Sequence, residues 1–146
     1  MEVLYCYDEV SALQTGAADV TLMCATGATD GLDMLVLGDE RPVAALPAGH
    51  RLAARSSLAM SDLHRLPEFS DALPTEPLDA IVDRVARGLL VVVVGEGVAD
   101  RLGGSVTPVP VVDYPITHLV LAWLADQAYA PVAELVRIAQ GLVPGA

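Results

Sequence analysis

The run Leu89-Leu90-Val91-Val92-Val93-Val94 constrains the fold more than any other feature of this chain. A strand with one wet face alternates apolar and polar residues, whereas an unbroken aliphatic run reads as a strand covered on both sides. The run is far too short to cross a bilayer. Immediately before it, Leu78, Ile81, Val82 and Val85 recur at helical spacing on one face. Thr75 and Pro77 open that helix and Gly88 stops it. After it come the turn Gly95-Glu96-Gly97 and a short helix through Leu102. An amphipathic helix, a doubly covered strand and a second helix in direct succession demand a layered α/β arrangement.

The rest of the chain carries the same alternation. Val3 to Tyr7 is a β-prone run, and Asp8 is an N-cap for a helix bearing Val10 and Leu13 that ends at Gly16. Asp19 to Ala25 has the apolar density of a strand buried on both faces, and Leu32 to Leu37 and Val43 to Leu46 are further strands. A short helix covers Met60 to Leu66; strands follow at Val106 to Val112 and Ile116 to Trp123, with Asp113-Tyr114-Pro115 between them. The last helix, about Pro131 to Gly141, places Val132, Leu135, Val136 and Ala139 on one face. With one Phe and one Trp in 146 residues, Val, Leu and Ala must fill the core. Strands alternating with helices, without an internal repeat, predict an α/β fold with a largely parallel sheet.

Five segments in order resemble one family. Gly16-Ala17-Ala18-Asp19-Val20-Thr21-Leu22 resembles a strand entry of the effector-binding domains of LysR-type regulators. Val43 to Ala53, with Pro47 and His50, is similar to the segment that crosses between their two lobes, and Leu58 to Leu63 to the short helix after it. Val85 to Leu102 and the pair Val120 to Trp123 with Pro131-Val132 resemble the later strand, helix and return. The resemblance implies two Rossmann-like lobes around a cleft, as in periplasmic binding proteins. Lobe one would span about 1–44 and 117–146, and lobe two about 45–116, within a single 1–146 domain. Ala59 stands where the family has a Ser or Thr cap, and Gly95 where it commonly has proline. The family's first strand and helix have no counterpart, and that strand lies inside the lobe-one sheet. Its neighbours would then carry unpaired backbone groups, which predicts a homo-oligomer in which another copy covers them.

Charge narrows the partners. Nineteen acidic residues against eight basic ones, all arginine and scattered singly, give a net charge of −11. No basic patch exists to neutralise a phosphate backbone, and no helix-turn-helix precedes the domain, so no nucleic-acid binding is expected. A single arginine can still pair with an anionic ligand. Cys6 and Cys24 have no metal or disulfide-framework spacing, and no membrane segment or leader is evident. The expectation is a cytoplasmic protein.

Among site residues, His50, His64 and His118 are too dispersed to suggest a metal centre, and no cofactor motif is present. His118 lies near the lobe crossover beside Asp113 and Tyr114, so the three can supply a general base, an orienting carboxylate and a phenol donor. Strand C-termini in open α/β sheets face the ligand crevice. That places Tyr5, Tyr7, Cys24, Thr26, Glu96 and Gly97 among the ligand contacts, with the helix opened by Glu96 and Gly97 suited to a carboxylate or phenolate. Glu68 and Phe69 sit where the family's second lobe borders the cleft. The resemblance implies binding of a small molecule by a stand-alone protein. A cofactor-free cyclase- or isomerase-type enzyme of specialised metabolism is the alternative, and a fragment of a transcription regulator the third.

Overall fold

In the computed structural model, residues 1–4, 6, 8–25, 30–127 and 129–143 are described. The chain divides into two compact units: unit 1 is Met1–Asp39 with Thr117–Ala146, and unit 2 is Glu40–Ile116.

Unit 1 begins with helix α1 (Glu9–Gln14), where the Asp8 carboxylate accepts from Ser11 N–H at 2.9 Å. Gly16, at φ 79°, turns the chain out of the helix as only glycine does readily. Strand β1 (Thr21–Ala25) pairs antiparallel with β6 (Thr117–Leu124), and β2 (Leu32–Glu40) flanks β6 on its other side. Leu13, Ala25, Val120 and Ala122 form a small core. Helix α4 (Ala130–Leu142) closes the unit and buries only Val132.

Unit 2 is built on β3 (Pro42–Pro47), which pairs antiparallel with β4 (Val92–Gly95) and β5 (Val106–Pro110). Every residue from Pro42 to Leu46 is buried. On one face Val43 and Ala45 join Ile81 and Val85 of helix α3 (Leu78–Ala86), with Val92 and Val94. On the other, Ala44 and Leu46 join Leu58, Leu52 from a 3-10 helix (Arg51–Ala54), and Leu63 of helix α2 (Met60–His64). Gly88, at φ 74°, ends α3 as expected. Ala59 offers no side-chain cap to α2; Asp113 does so from the far side of the sequence, accepting from Met60 N–H at 2.7 Å.

The α/β fold is as expected, but four local expectations are corrected. The pairs β1–β6, β3–β4 and β3–β5 are antiparallel, and the isolated bridges Leu58–Val111 and Phe69–Val91 are parallel. Alternation of helices with strands fixes the layers, not strand direction, and here β4 and β5 flank β3 on its two sides and both run opposite to it. Met1 to Leu4 and Cys6 form no strand, and Val3 and Leu4 are exposed. β1 is covered on one face only: Leu22 and Cys24 point outward while Thr21 and Ala25 are buried, as suits a strand at the end of the sheet order. Leu89 is exposed in the turn after α3, and burial begins at Leu90.

Candidate functional site

In unit 1, β6 and β2 carry a concavity of about 360 Å³ lined by Ala25, Leu32, Asp33, Met34, Val36, His118 and Val120. Strand register explains the lining: Ala25 lies directly opposite His118, and Val120 follows two residues on, so all three share a face. His118 is half-buried, and its Nδ1 lies 2.9 Å from Asp39 Oδ1, a carboxylate at the far end of β2. With 40% of the imidazole and 65% of the carboxylate exposed, water screens the pair, so its value is orientation of the ring rather than stability. Asp39 on Nδ1 leaves Nε2 to a ligand, an arrangement that can hold, accept or give a proton.

Of the expected trio, His118 belongs to unit 1, and Asp113 and Tyr114 belong to unit 2. Asp39, not Asp113, orients the imidazole; Asp113 is engaged at the N-terminus of α2. Tyr114 packs against the α2 side of the unit 2 core and lines a second concavity of about 220 Å³, with Arg41, Pro42, Pro110, Val111, Val112 and Ile116.

The turn Gly95-Glu96-Gly97 does receive a carboxylate, but from the chain itself. Gly97 N–H donates to Glu40 Oε2 at 2.7 Å. A Cβ at Gly97 would stand 2.6 Å from Glu40 Oε1, and one at Gly95 2.7 Å from Oε2. A side chain at either position would push the Glu40 carboxylate aside, so glycine at both keeps this contact. The ligand expected there meets an occupied position.

Glu68 and Phe69 are held in unit 2 by structural contacts. Glu68 Oε1 is 3.6 Å from His50 Nε2, while His50 Nδ1 accepts from Leu52 N–H and caps the 3-10 helix. The Phe69 ring meets His64 edge-on at 5.4 Å. Cys24 is exposed on β1 opposite Leu119, on the other face from His118. Tyr5, Tyr7 and Thr26 lie outside the described residues. Among the described residues, no group of three or more His, Cys, Asp or Glu is arranged to hold a metal, and no helix is long and apolar enough to cross a membrane. Sequence reasoning missed Asp39, Glu40 and Arg41; an apolar reading of β2 ends at Leu37, before the polar end that carries them.

Residues 5–71 match the LysR substrate binding domain family. No curated protein matches the sequence. Among solved structures, the reduced OxyR regulatory domain from Pseudomonas aeruginosa is similar at TM-score 0.70 and 18% identity, over 92% of this chain and 76% of that one. HinK, a LysR family transcriptional regulator from the same organism, is similar at 0.64 and 20%, over 91% of this chain. The MetR regulatory domain from N. meningitidis is similar at 0.62 and 18%, over 93% of this chain and 74% of that one. The chain spans 56% of HinK and 53% of a full-length OxyR. The family match ends at residue 71, and the later segments are related through the fold alone.

Proposed function

Because the chain carries the fold of the LysR substrate-binding domain, which is periplasmic-binding-protein-like, we propose that it is a cytoplasmic, stand-alone small-molecule-binding protein that reads no DNA. The observation that supports this reading best is the unit 1 concavity, where an apolar floor meets one oriented imidazole. Apolar walls supply affinity and His118 with Asp33 supplies direction, the usual division of labour in ligand sites. Of the ligand contacts expected from the sequence, Cys24, Glu68, Phe69, Glu96 and Gly97 do not line this concavity, and Tyr5, Tyr7 and Thr26 are contacts only as part of this proposal. The net charge of −11 argues against a phosphate backbone as partner. Exposed Leu22, Val36, Ile138 and Leu142 in unit 1 support self-association. Light scattering that reports a monomer across a wide concentration range would remove that part.

The test is a ligand-observed NMR screen of the chain against a metabolite library, with hits mapped on Ala25, Met34 and Val120 and repeated on His118→Gln. Binding at these residues that weakens in the variant is the expected result. Hits that map elsewhere, or none at all, overturn it. Fluorescence anisotropy with duplex DNA at moderate salt should show no salt-sensitive binding.

The His118–Asp39 contact favours a second reading, cofactor-free acid–base catalysis on the bound molecule. On that reading His118→Gln lowers turnover by roughly a hundredfold while binding persists, as loss of an acid–base group does. Unchanged turnover in a folded variant removes His118 from any chemistry.

A further inference from the structure

We propose that the concavity around Arg41 and Tyr114 in unit 2 is a second ligand site, for a small organic monocarboxylate with an apolar body. The site shares no lining residue with the His118 concavity and does not rest on that reading.

Arg41 carries the inference. In a chain with nineteen acidic residues, Arg55, Arg84, Arg87 and Arg137 each hold a carboxylate, whereas Arg41, Arg51, Arg65 and Arg101 make no ion pair among the described residues; of these four, Arg41 is the one that lines this concavity. Its sequence neighbour Glu40 is the obvious partner, yet that carboxylate is turned to Gly97 N–H at 2.7 Å, in space that Gly95 and Gly97 leave by having no Cβ. Arg41 is thereby left exposed at a concavity whose other walls are apolar or aromatic.

Those walls are fixed and partly wet. Pro42 and Pro110 lie at the paired ends of β3 and β5, where Val43 faces Pro110, so neither backbone has rotational freedom about φ. Val112 and Ile116 are 69% and 49% exposed, apolar surface that an alkyl or aryl group would cover. Tyr114 is anchored by its ring in the core cluster, and its hydroxyl has no hydrogen-bond partner among the described residues. A guanidinium fork grips a carboxylate through two parallel N–H bonds, and a phenol O–H can donate a third.

Charge and size select the class. One guanidinium offsets one negative charge, and the net −11 of the chain opposes any further charge on the ligand. Phosphate and dicarboxylates are therefore disfavoured against a monoanion. At about 220 Å³ the concavity is below the range of drug-sized sites, which suits a short acid such as a single ring bearing one carboxylate.

Benzoate and its neutral isostere benzamide are the probes, titrated into the full chain and followed by amide NMR shifts. Benzoate should perturb Val111, Val112 and Ile116, and benzamide should bind at least about tenfold more weakly, as loss of a charge-assisted bond does. Arg41→Gln should weaken benzoate by roughly tenfold or more, and Tyr114→Phe by a few-fold, with circular dichroism unchanged. His118→Gln should leave benzoate binding as it was. Equal affinity for benzamide, unchanged binding in Arg41→Gln, or no benzoate binding at millimolar concentration overturns the site. Benzoate lost in His118→Gln but kept in Arg41→Gln also overturns it, while leaving the unit 1 reading in place.

Discussion

β3 and β6 are the central strands of two three-stranded sheets, and both are apolar throughout most of their length. Five consecutive residues of β3 are buried, whereas β6 buries only Val120 and Ala122. The difference lies in what covers them. β3 has α3 on one face and α2 with a 3-10 helix on the other, so neighbouring side chains enter two separate cores. β6 has a core on one face only, and Leu119, Leu121 and Trp123 on the other are half-buried. A strand's sequence states what it would bury; the layers around it decide what it does bury. Unit 1 is the half with the smaller core.

The contrast breaks most readily at Leu46. It is fully buried in unit 2, and Leu46→Ala should cost about 2–5 kcal/mol. Leu13, equally buried in unit 1, sits in a small core whose surroundings can relax, so Leu13→Ala should fall at the low end of that range. Urea titrations settle the order, and a larger loss for Leu13→Ala would reverse the comparison. Trp123, the single tryptophan, reports on unit 1, so its fluorescence should change at lower urea than the far-UV signal. Coincident transitions would mean that the two units unfold as one.

A smaller effect sharpens the contrast within unit 2. Gly97→Ala displaces the Glu40 carboxylate, a flexible group that can swing away, so the cost is mainly the lost hydrogen bond, about 1–2 kcal/mol. In a Glu40→Ala background the same change should cost much less. Equal costs in both backgrounds would show that Glu40 is not what excludes a side chain there.

The smallest effect concerns α4, the least covered helix of unit 1. A hydrogen bond to the Asp19 carboxylate, chiefly, raises the pKa of the Tyr129 phenol above its usual range, and Arg137 holds Glu134 below the usual carboxylate range. The raised phenol favours the protonated form in the folded state, so its contribution is whole at neutral pH and lost as pH rises through the raised value. The lowered carboxylate contributes above the free glutamate range and loses that contribution in acid. Protection of the α4 amides, corrected for the intrinsic pH dependence of exchange, should therefore fall at both extremes, and Tyr129→Phe should abolish the alkaline limb alone. A surviving alkaline limb would assign it to another group.

Local features were legible in the sequence. The Asp8 cap, the stops at Gly16 and Gly88, the amphipathic α3 and the buried stretch from Leu90 all obey short-range rules. What sequence reading misplaced are contacts between distant residues. Asp39 meets His118, Gly97 meets Glu40, and Asp113 meets Met60 across separations of 79, 57 and 53 residues. No periodicity encodes which carboxylate reaches which partner, so Asp113 was matched to its sequence neighbour His118 and the Gly95–Gly97 turn to a ligand. Strand direction escaped for the same reason.

The discontinuity of unit 1 bears on the order in which the molecule assembles. β1 precedes the whole of unit 2 and its partner β6 follows it, so their pairing closes a loop that contains another unit. Unit 2 is continuous in sequence and can complete its own contacts while the chain is still being synthesised. Forming it first shortens the effective loop and lowers the entropy lost when β1 and β6 meet. Until that meeting, β1 is an apolar strand awaiting a partner not yet made, and it is the segment on which a chaperone, or premature pairing between two nascent chains, would act.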